Sequence, residues 1–187
     1  INWPIKIYCA LFNMLLVEEG AVDLDRPVDE YLTRWKLPNS GFDNSGVTVR
    51  RLLSHTSGLN DGLGYDGFDH PDKVQSLAES LTRALDASPG NTGKVELGAT
   101  PGSEWNYSGG GYTMLQLLIE DVTQQPFSVF MSERIFAPLG LNRTTYNYNE
   151  ALSLGLAENF NLAGKAEPFR WYTCLLYTSP SPRDKCR

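Results

Sequence analysis

The sequence predicts one domain in which helices dominate. Apolar residues recur at helical spacing in several stretches, most clearly Tyr112, Met114, Leu115, Leu117, Leu118, Ile119 and Val122. A chain of 187 residues, 41% of them hydrophobic, is long and apolar enough to bury one core. No apolar run is long and charge-free enough to span a bilayer.

The first helix is expected over 6–19. Ile7, Tyr8, Cys9, Ala10, Leu11, Phe12, Met14, Leu15, Leu16 and Val17 leave it apolar on nearly every face, the pattern of a buried helix. A turn of helix follows at 28–32. Residues 48–55 read as a short helix with Thr48 as N-cap and Gly58 past its end. Val74, Leu77, Leu81 and Leu85 predict a helix over 73–87, with Glu79 and Arg83 four apart. Residues 88–100 read as a glycine-rich loop, and 111–124 as the most apolar helix. Pro126 opens another at 127–136, closed by Ala137-Pro138-Leu139-Gly140-Leu141. The pattern changes after Thr145, and 156–172, with Gly164 and Pro168, reads as a hairpin or an irregular return. There is no internal repeat.

The segment Pro101-Gly102-Ser103-Glu104-Trp105-Asn106-Tyr107-Ser108-Gly109-Gly110-Gly111-Tyr112 places a tyrosine and a serine on a glycine-rich turn before an apolar helix. Three glycines let the backbone bend sharply there. The positive end and free N–H groups of the helix would favour negative charge on the loop, a tyrosinate included. Tyr107 is therefore a candidate base, beside the plainer reading of a flexible turn next to a packed tyrosine.

Three strings together carry a resemblance: R-x-L-L-S-H-T-S-G-L at 50–59, P-G-x-x-W-x-Y-S-G-G-G-Y at 101–112 and I-F-x-P-L-G-L at 135–141. In this order, and within residues 6 to 146, the chain resembles the β-lactamase-related serine hydrolases, a family of class C β-lactamases, D-alanyl-D-alanine carboxypeptidases and esterases. The resemblance implies an α/β (α+β) β-lactamase/transpeptidase-like fold, of which this chain, read as truncated, would hold mainly the helical half. It implies an acyl-serine mechanism in which a Ser-x-x-Lys serine attacks a carbonyl, a tyrosine helps move protons and backbone N–H groups hold the oxyanion. Tyr107 matches that tyrosine, and Ser108 and Gly109 fall at substrate-binding positions. Gly109 stands where class C enzymes carry Asn, which turns the expectation towards an esterase or peptidase.

Counting back from Gly20 by the family spacing puts the motif lysine on Lys6 and the serine on Trp3. At the end of a buried helix, loss of hydration favours the neutral amine that proton transfer needs, although a lysine at a helix start is more commonly a solvated side chain. Tryptophan has no oxygen and forms no acyl-enzyme. Three explanations stay open: a pseudoenzyme, a corrupted start of the frame, and a miscounted spacing. The chain begins at Ile1 without the signal peptide that the largely exported family leads one to expect, and the expectation is truncation. The natural location is expected to be periplasmic or otherwise extracytoplasmic.

At the other end, Cys174 to Asp184 resembles the translation of a transposon-type sequencing adapter. Residues 1–173 are accordingly expected to be a partial β-lactamase-related domain, and 174–187 a non-native, disordered tail. Three of the 16 basic and one of the 22 acidic residues lie in that tail, so the remainder carries a net charge of −8 instead of −6. Such an acidic chain argues against a nucleic-acid partner.

Two of the three cysteines also fall there, leaving Cys9 alone to pack in an apolar helix. No disulfide framework, metal or cofactor is expected. His55, beside Ser54, Thr56 and Ser57, lacks an acidic partner spaced for a triad; together with Ser57 and Gly58 it is expected to shape the turn behind the site. His70 reads as a surface-loop residue, and Asp66, Asp69 and Asp72 lack a calcium-loop pattern.

The functional expectation is part of a serine hydrolase acting on a small-molecule or peptide ester, amide or lactam, inactive as written. The alternative is a non-catalytic binding domain of the penicillin-recognising type. A third reading is a helical piece whose apolar 7–17 helix lies uncovered.

Overall fold

The computed structural model describes residues 3–61, 64–155, 159–161 and 163–174, with side chains from residue 11 onward except those of residues 152 and 159. Helix α1 runs Trp3–Glu18, α2 Val49–Leu53, α3 Leu77–Arg83, α4 Gly109–Thr123, α5 Phe127–Met131 and α6 Tyr148–Ser153. A two-stranded antiparallel hairpin follows: β1 (Asn159–Phe160) pairs with β2 (Ala166–Glu167), in the region read as a hairpin or return. Single 3₁₀ turns occur at Val28–Glu30, Asn44–Gly46 and Pro71–Lys73.

Helix α4 is the axis of the fold. Met114, Leu115, Leu117, Leu118 and Ile119 are all fully buried, because α1, α2, α3 and α5 each pack against it. Phe12 of α1 meets Phe127 and Phe130 of α5 edge-on, at 6.1 and 6.3 Å between ring centroids. Tyr146 closes the far side of α5 against Phe127 and Phe136. Helix α5 passes directly into a π-helical turn at Ser132–Phe136, so the expected single helix over 127–136 is two conformations end to end.

Polar ties fix the long N-terminal loop onto this core. The N–H groups of Thr33 and Arg34 donate to Asp121 Oδ2 at 2.6 and 3.2 Å, and Arg34 Nε donates to Asp121 Oδ1 at 2.5 Å. Burial pushes the Asp121 carboxyl up, but these donors outweigh it and hold the group below its ordinary value. Arg50 makes a two-pronged pair with Asp25 at 2.7 and 2.9 Å, bringing α2 against the segment that follows α1.

Several elements differ from their sequence expectation. The 73–87 helix shrinks to 77–83 because Ser76 and Glu79 form a capping box that sets its start. Glu79 therefore faces Ser76, and Leu85, past the helix end, is 72% exposed. Helix α2 ends at Leu53, and His55, at φ 57°, takes the left-handed position that closes it; Gly58 lies further on. Helix α1 is not buried all round: Phe12, Asn13 and Leu16 face the core, while Leu11 and Met14 are 51% and 45% exposed. Cys174, placed on the tail side of the expected boundary, is buried in the core cluster. Residues 175–187 lie outside the described residues.

Candidate functional site

The loop 101–108 and the segment 54–61 lie against each other, and their union forms the candidate site. Thr48 caps α2 by accepting the Arg51 N–H, the chain turns back at His55, and Gly58 then runs beneath the loop. At Gly58, φ is +79° and a Cβ would sit 2.4 Å from the Ala99 carbonyl oxygen, so only glycine allows this approach. The 101–108 loop is stitched onto this segment through its backbone. Gly102 N–H donates to Thr56 O at 2.7 Å, Asn106 N–H to His55 O at 2.8 Å and Asn106 Nδ2 to Leu59 O at 2.9 Å.

His55 lies at the centre. Its ring sits 4.7 Å from that of Tyr107 and 5.2 Å from that of Tyr112, both tilted by about a third of a right angle, and Trp105 meets it edge-on at 5.9 Å. Its Nδ1 accepts the Ser108 N–H at 3.3 Å, which places the ring proton of the neutral imidazole on Nε2. Ser57, beside it, is buried, and the half-buried Tyr107 stands between the pinned residues Asn106 and Ser108.

Ser108 is the N-cap of α4, which begins at Gly109, two residues before the expected start at 111. Its Oγ accepts the Gly111 N–H at 2.8 Å and donates to Asp61 Oδ1. Asp61 Oδ2 in turn accepts the Gly110 N–H at 2.7 Å and the Tyr65 hydroxyl at 3.3 Å. Asp61 is 1% exposed, and burial pushes its carboxyl up despite these donors.

Two expectations change here. The three glycines do not bend the chain: they form the first turn of α4, and Gly110 is needed because a Cβ would lie 2.3 Å from Val95 Cγ2 and 3.2 Å from the Asp61 carboxylate. Two of the N–H groups at the start of the helix are not available to a tyrosinate, since Asp61 and Ser108 already accept from Gly110 and Gly111. The Ser108 side chain, at 1% residue exposure, faces inward into this cluster, and Gly109 is buried beside it.

Asp61 escaped the sequence reading: one acidic residue in Leu59-Asn60-Asp61-Gly62 has the composition of a surface turn, and nothing local marks it as buried. Lys6 and Trp3 fall on α1, but their side chains lie outside those described, as does that of Cys9. His70 is exposed and caps the Pro71–Lys73 turn through Nδ1. Among the described residues, no group of three or more His, Cys, Asp or Glu side chains is arranged to hold a metal ion, and no helix is long and apolar enough to cross a membrane.

The loop, its anchoring segment and the central helix match a known architecture. A family model described as Beta-lactamase matches residues 5–173, and the chain belongs to that family of β-lactamase-related serine hydrolases. Penicillin-binding protein 4* of Bacillus subtilis (strain 168) is 35% identical over 148 residues, 79% of this chain and 30% of that protein. The octameric penicillin-binding protein homologue from Pyrococcus abyssi superposes with a TM-score of 0.67 at 30% identity, covering 89% of this chain and 38% of that one. D-amino acid amidase from Ochrobactrum anthropi SV3 gives a TM-score of 0.57 at 32% identity over 76% of this chain and 36% of that one. The fold is thus β-lactamase/transpeptidase-like, and the chain spans about a third of the length of the curated relatives it matches.

Proposed function

We propose that this chain is part of a serine hydrolase that cleaves an ester, amide or lactam of a small molecule or peptide through a covalent acyl-serine. The observation that carries the reading is Tyr107, half-buried between two pinned residues and laid on His55, beside the helix against which α1 packs. In the proposed mechanism a serine at position 3 attacks the carbonyl, Lys6 and Tyr107 carry its proton to the leaving group, and water releases the acyl group. His55, Ser57 and Gly58 hold the Tyr107 loop from behind. Substrate contacts at Ser108 and Gly109 would have to come from the backbone, because the Ser108 hydroxyl is engaged with Asp61. The proposed domain is 1–173, working outside the cytoplasm.

Trp3 at the nucleophile position supports a second reading, a binding domain that holds a cell-wall-type peptide or lactam without turnover. Fluorescent penicillin and a fluorophosphonate probe, applied to the full-length protein and its Trp3→Ser variant, separate the two. Covalent labelling of the serine form, abolished by Lys6→Ala, is expected for the hydrolase. Reversible retention of penicillin by both forms without labelling would sink it in favour of the binding domain.

A further inference from the structure

We infer that Asp61 is a positioning residue for Tyr107: a buried carboxylate that locks the residue following Tyr107, and the first turn of α4, into one arrangement. The inference rests on the proposed proton-carrying role of Tyr107.

The argument starts from accounting for polar groups. The start of α4 presents N–H groups with no helical partner. Ser108 Oγ takes that of Gly111, and Asp61 Oδ2 takes that of Gly110, so both are satisfied inside the protein. Asp61 Oδ1 accepts from the Ser108 hydroxyl, which fixes the rotor of the capping side chain and so the direction of its lone pairs. The Tyr65 hydroxyl adds a third donor to the carboxylate from the next loop. With three donors on two oxygens and 1% exposure, the side chain has one orientation available.

The sequence makes room for this carboxylate at Gly110. A Cβ at Gly110 would press on the Asp61 carboxylate at 3.2 Å, so the glycine and the aspartate fit as a pair. On the other side of Tyr107, Asn106 is fixed by His55 O and Leu59 O, and Ser108 N–H is fixed by His55 Nδ1. Tyr107 therefore hangs between two clamps, one from the 55–59 segment and one from Asp61. An acid at the end of α4 that served stability alone could sit anywhere on its first turn. This one is joined to the residue next to Tyr107, where a shift on the order of 1 Å at a reacting group is enough to cost about a hundredfold in rate.

Asp61→Asn keeps the shape, but on the Ser108 side it presents an N–H₂ in place of an acceptor, so that hydrogen bond must reverse. Ser108 Oγ then accepts from Nδ2, its own proton loses the carboxylate that fixed it, and the bonds to Gly110 N–H and the Tyr65 hydroxyl lose their charge assistance. In the full-length protein with a serine at position 3, assayed with a chromogenic ester, this variant is expected to lower kcat by roughly 10- to 100-fold with KM within about threefold, at a temperature where circular dichroism shows it folded. Ser108→Ala, which removes the link to Asp61 together with the cap on the Gly111 N–H, is expected to act in the same direction, and the double variant to be no worse than the poorer single one.

A kcat within twofold of the parent for both variants overturns the inference. Tyr107→Phe, measured alongside, keeps the two proposals apart. If that variant has unchanged kcat, the proton-carrying reading fails; if it is impaired while Asp61→Asn is not, only the positioning role fails. A readout without turnover is the ¹⁹F spectrum of 3-fluorotyrosine at position 107. One line in the parent that broadens or splits in Asp61→Asn supports the lock, and an unchanged line overturns it.

Discussion

The His55 imidazole lies 4.7 Å from the Tyr107 ring and accepts the N–H of the next residue, Ser108, so one side chain fixes both the face and the backbone of the candidate proton carrier. His55 also occupies the left-handed backbone position that ends α2. It thus joins helix termination to site geometry.

This dual role predicts different outcomes for two substitutions. His55→Ala leaves the Ser108 N–H buried without its acceptor and removes the ring beneath Tyr107, which should destabilise by about 2–3 kcal/mol. His55→Asn tolerates φ 57° and retains a short acceptor, so it should recover part of that loss. Urea unfolding of the three proteins tests the order; equal stability of Ala and Asn variants would mean that neither backbone conformation nor hydrogen bond is at stake.

Gly110→Ala forces a methyl to 2.3 Å from Val95 Cγ2, an overpacking that should cost about 1–3 kcal/mol. Val95→Ala removes the colliding carbon, so the double variant is expected to be more stable than Gly110→Ala alone. Thermal melts of the four proteins decide this. A double variant with the two losses simply added would show that the clash with the Asp61 carboxylate dominates instead.

The helical half of the fold was largely legible because amphipathic spacing, Thr48, Pro126 and the 135–141 string are local signals. What was not legible depended on partners distant in sequence. Leu85 has helical spacing but falls beyond a helix whose start is set by Ser76 and Glu79. The exposed Leu11 and Met14 lie on an α1 face that the described core does not reach, which apolar composition alone could not show. Tyr107 and His55 were picked out from their motifs, but Asp61 acquires its importance only when the chain brings it to Ser108, 47 residues away.

Acid should weaken the tie between the N-terminal loop and α4. The Asp121 carboxyl is held below its ordinary value by the donors of Thr33 and Arg34, against the pull of burial. Its stabilising contribution is therefore fully present above the unfolded carboxylate value near pH 4 and is lost as pH falls through the lower folded value. Asp121→Asn should cost about 1.5–3 kcal/mol at pH 7, and the gap to the parent should narrow below about pH 3. Asp61 has the opposite sign: burial raises its value, so its contribution declines as pH rises above about 4. A pH series of melting temperatures distinguishes them, and a gap for Asp121→Asn that stays constant from pH 7 to pH 2 would exclude the ionic tie.

Tyr107→Phe tests the chemistry with the least structural disturbance. It removes only the hydroxyl and leaves a ring that can still lie on His55, so the melting temperature should move little. In the full-length protein with a serine at position 3, acyl-enzyme formation should fall by roughly two to four orders of magnitude, the usual size of a proton-transfer contribution. Because the loss is in proton transfer, it should be smaller for an ester with a leaving group acidic enough to depart unprotonated, such as nitrophenolate, than for an alkyl ester or amide. Stopped-flow acylation with a matched pair of esters measures that difference. An equal loss on both would assign Tyr107 to substrate placement, and no loss on either would remove it from the mechanism.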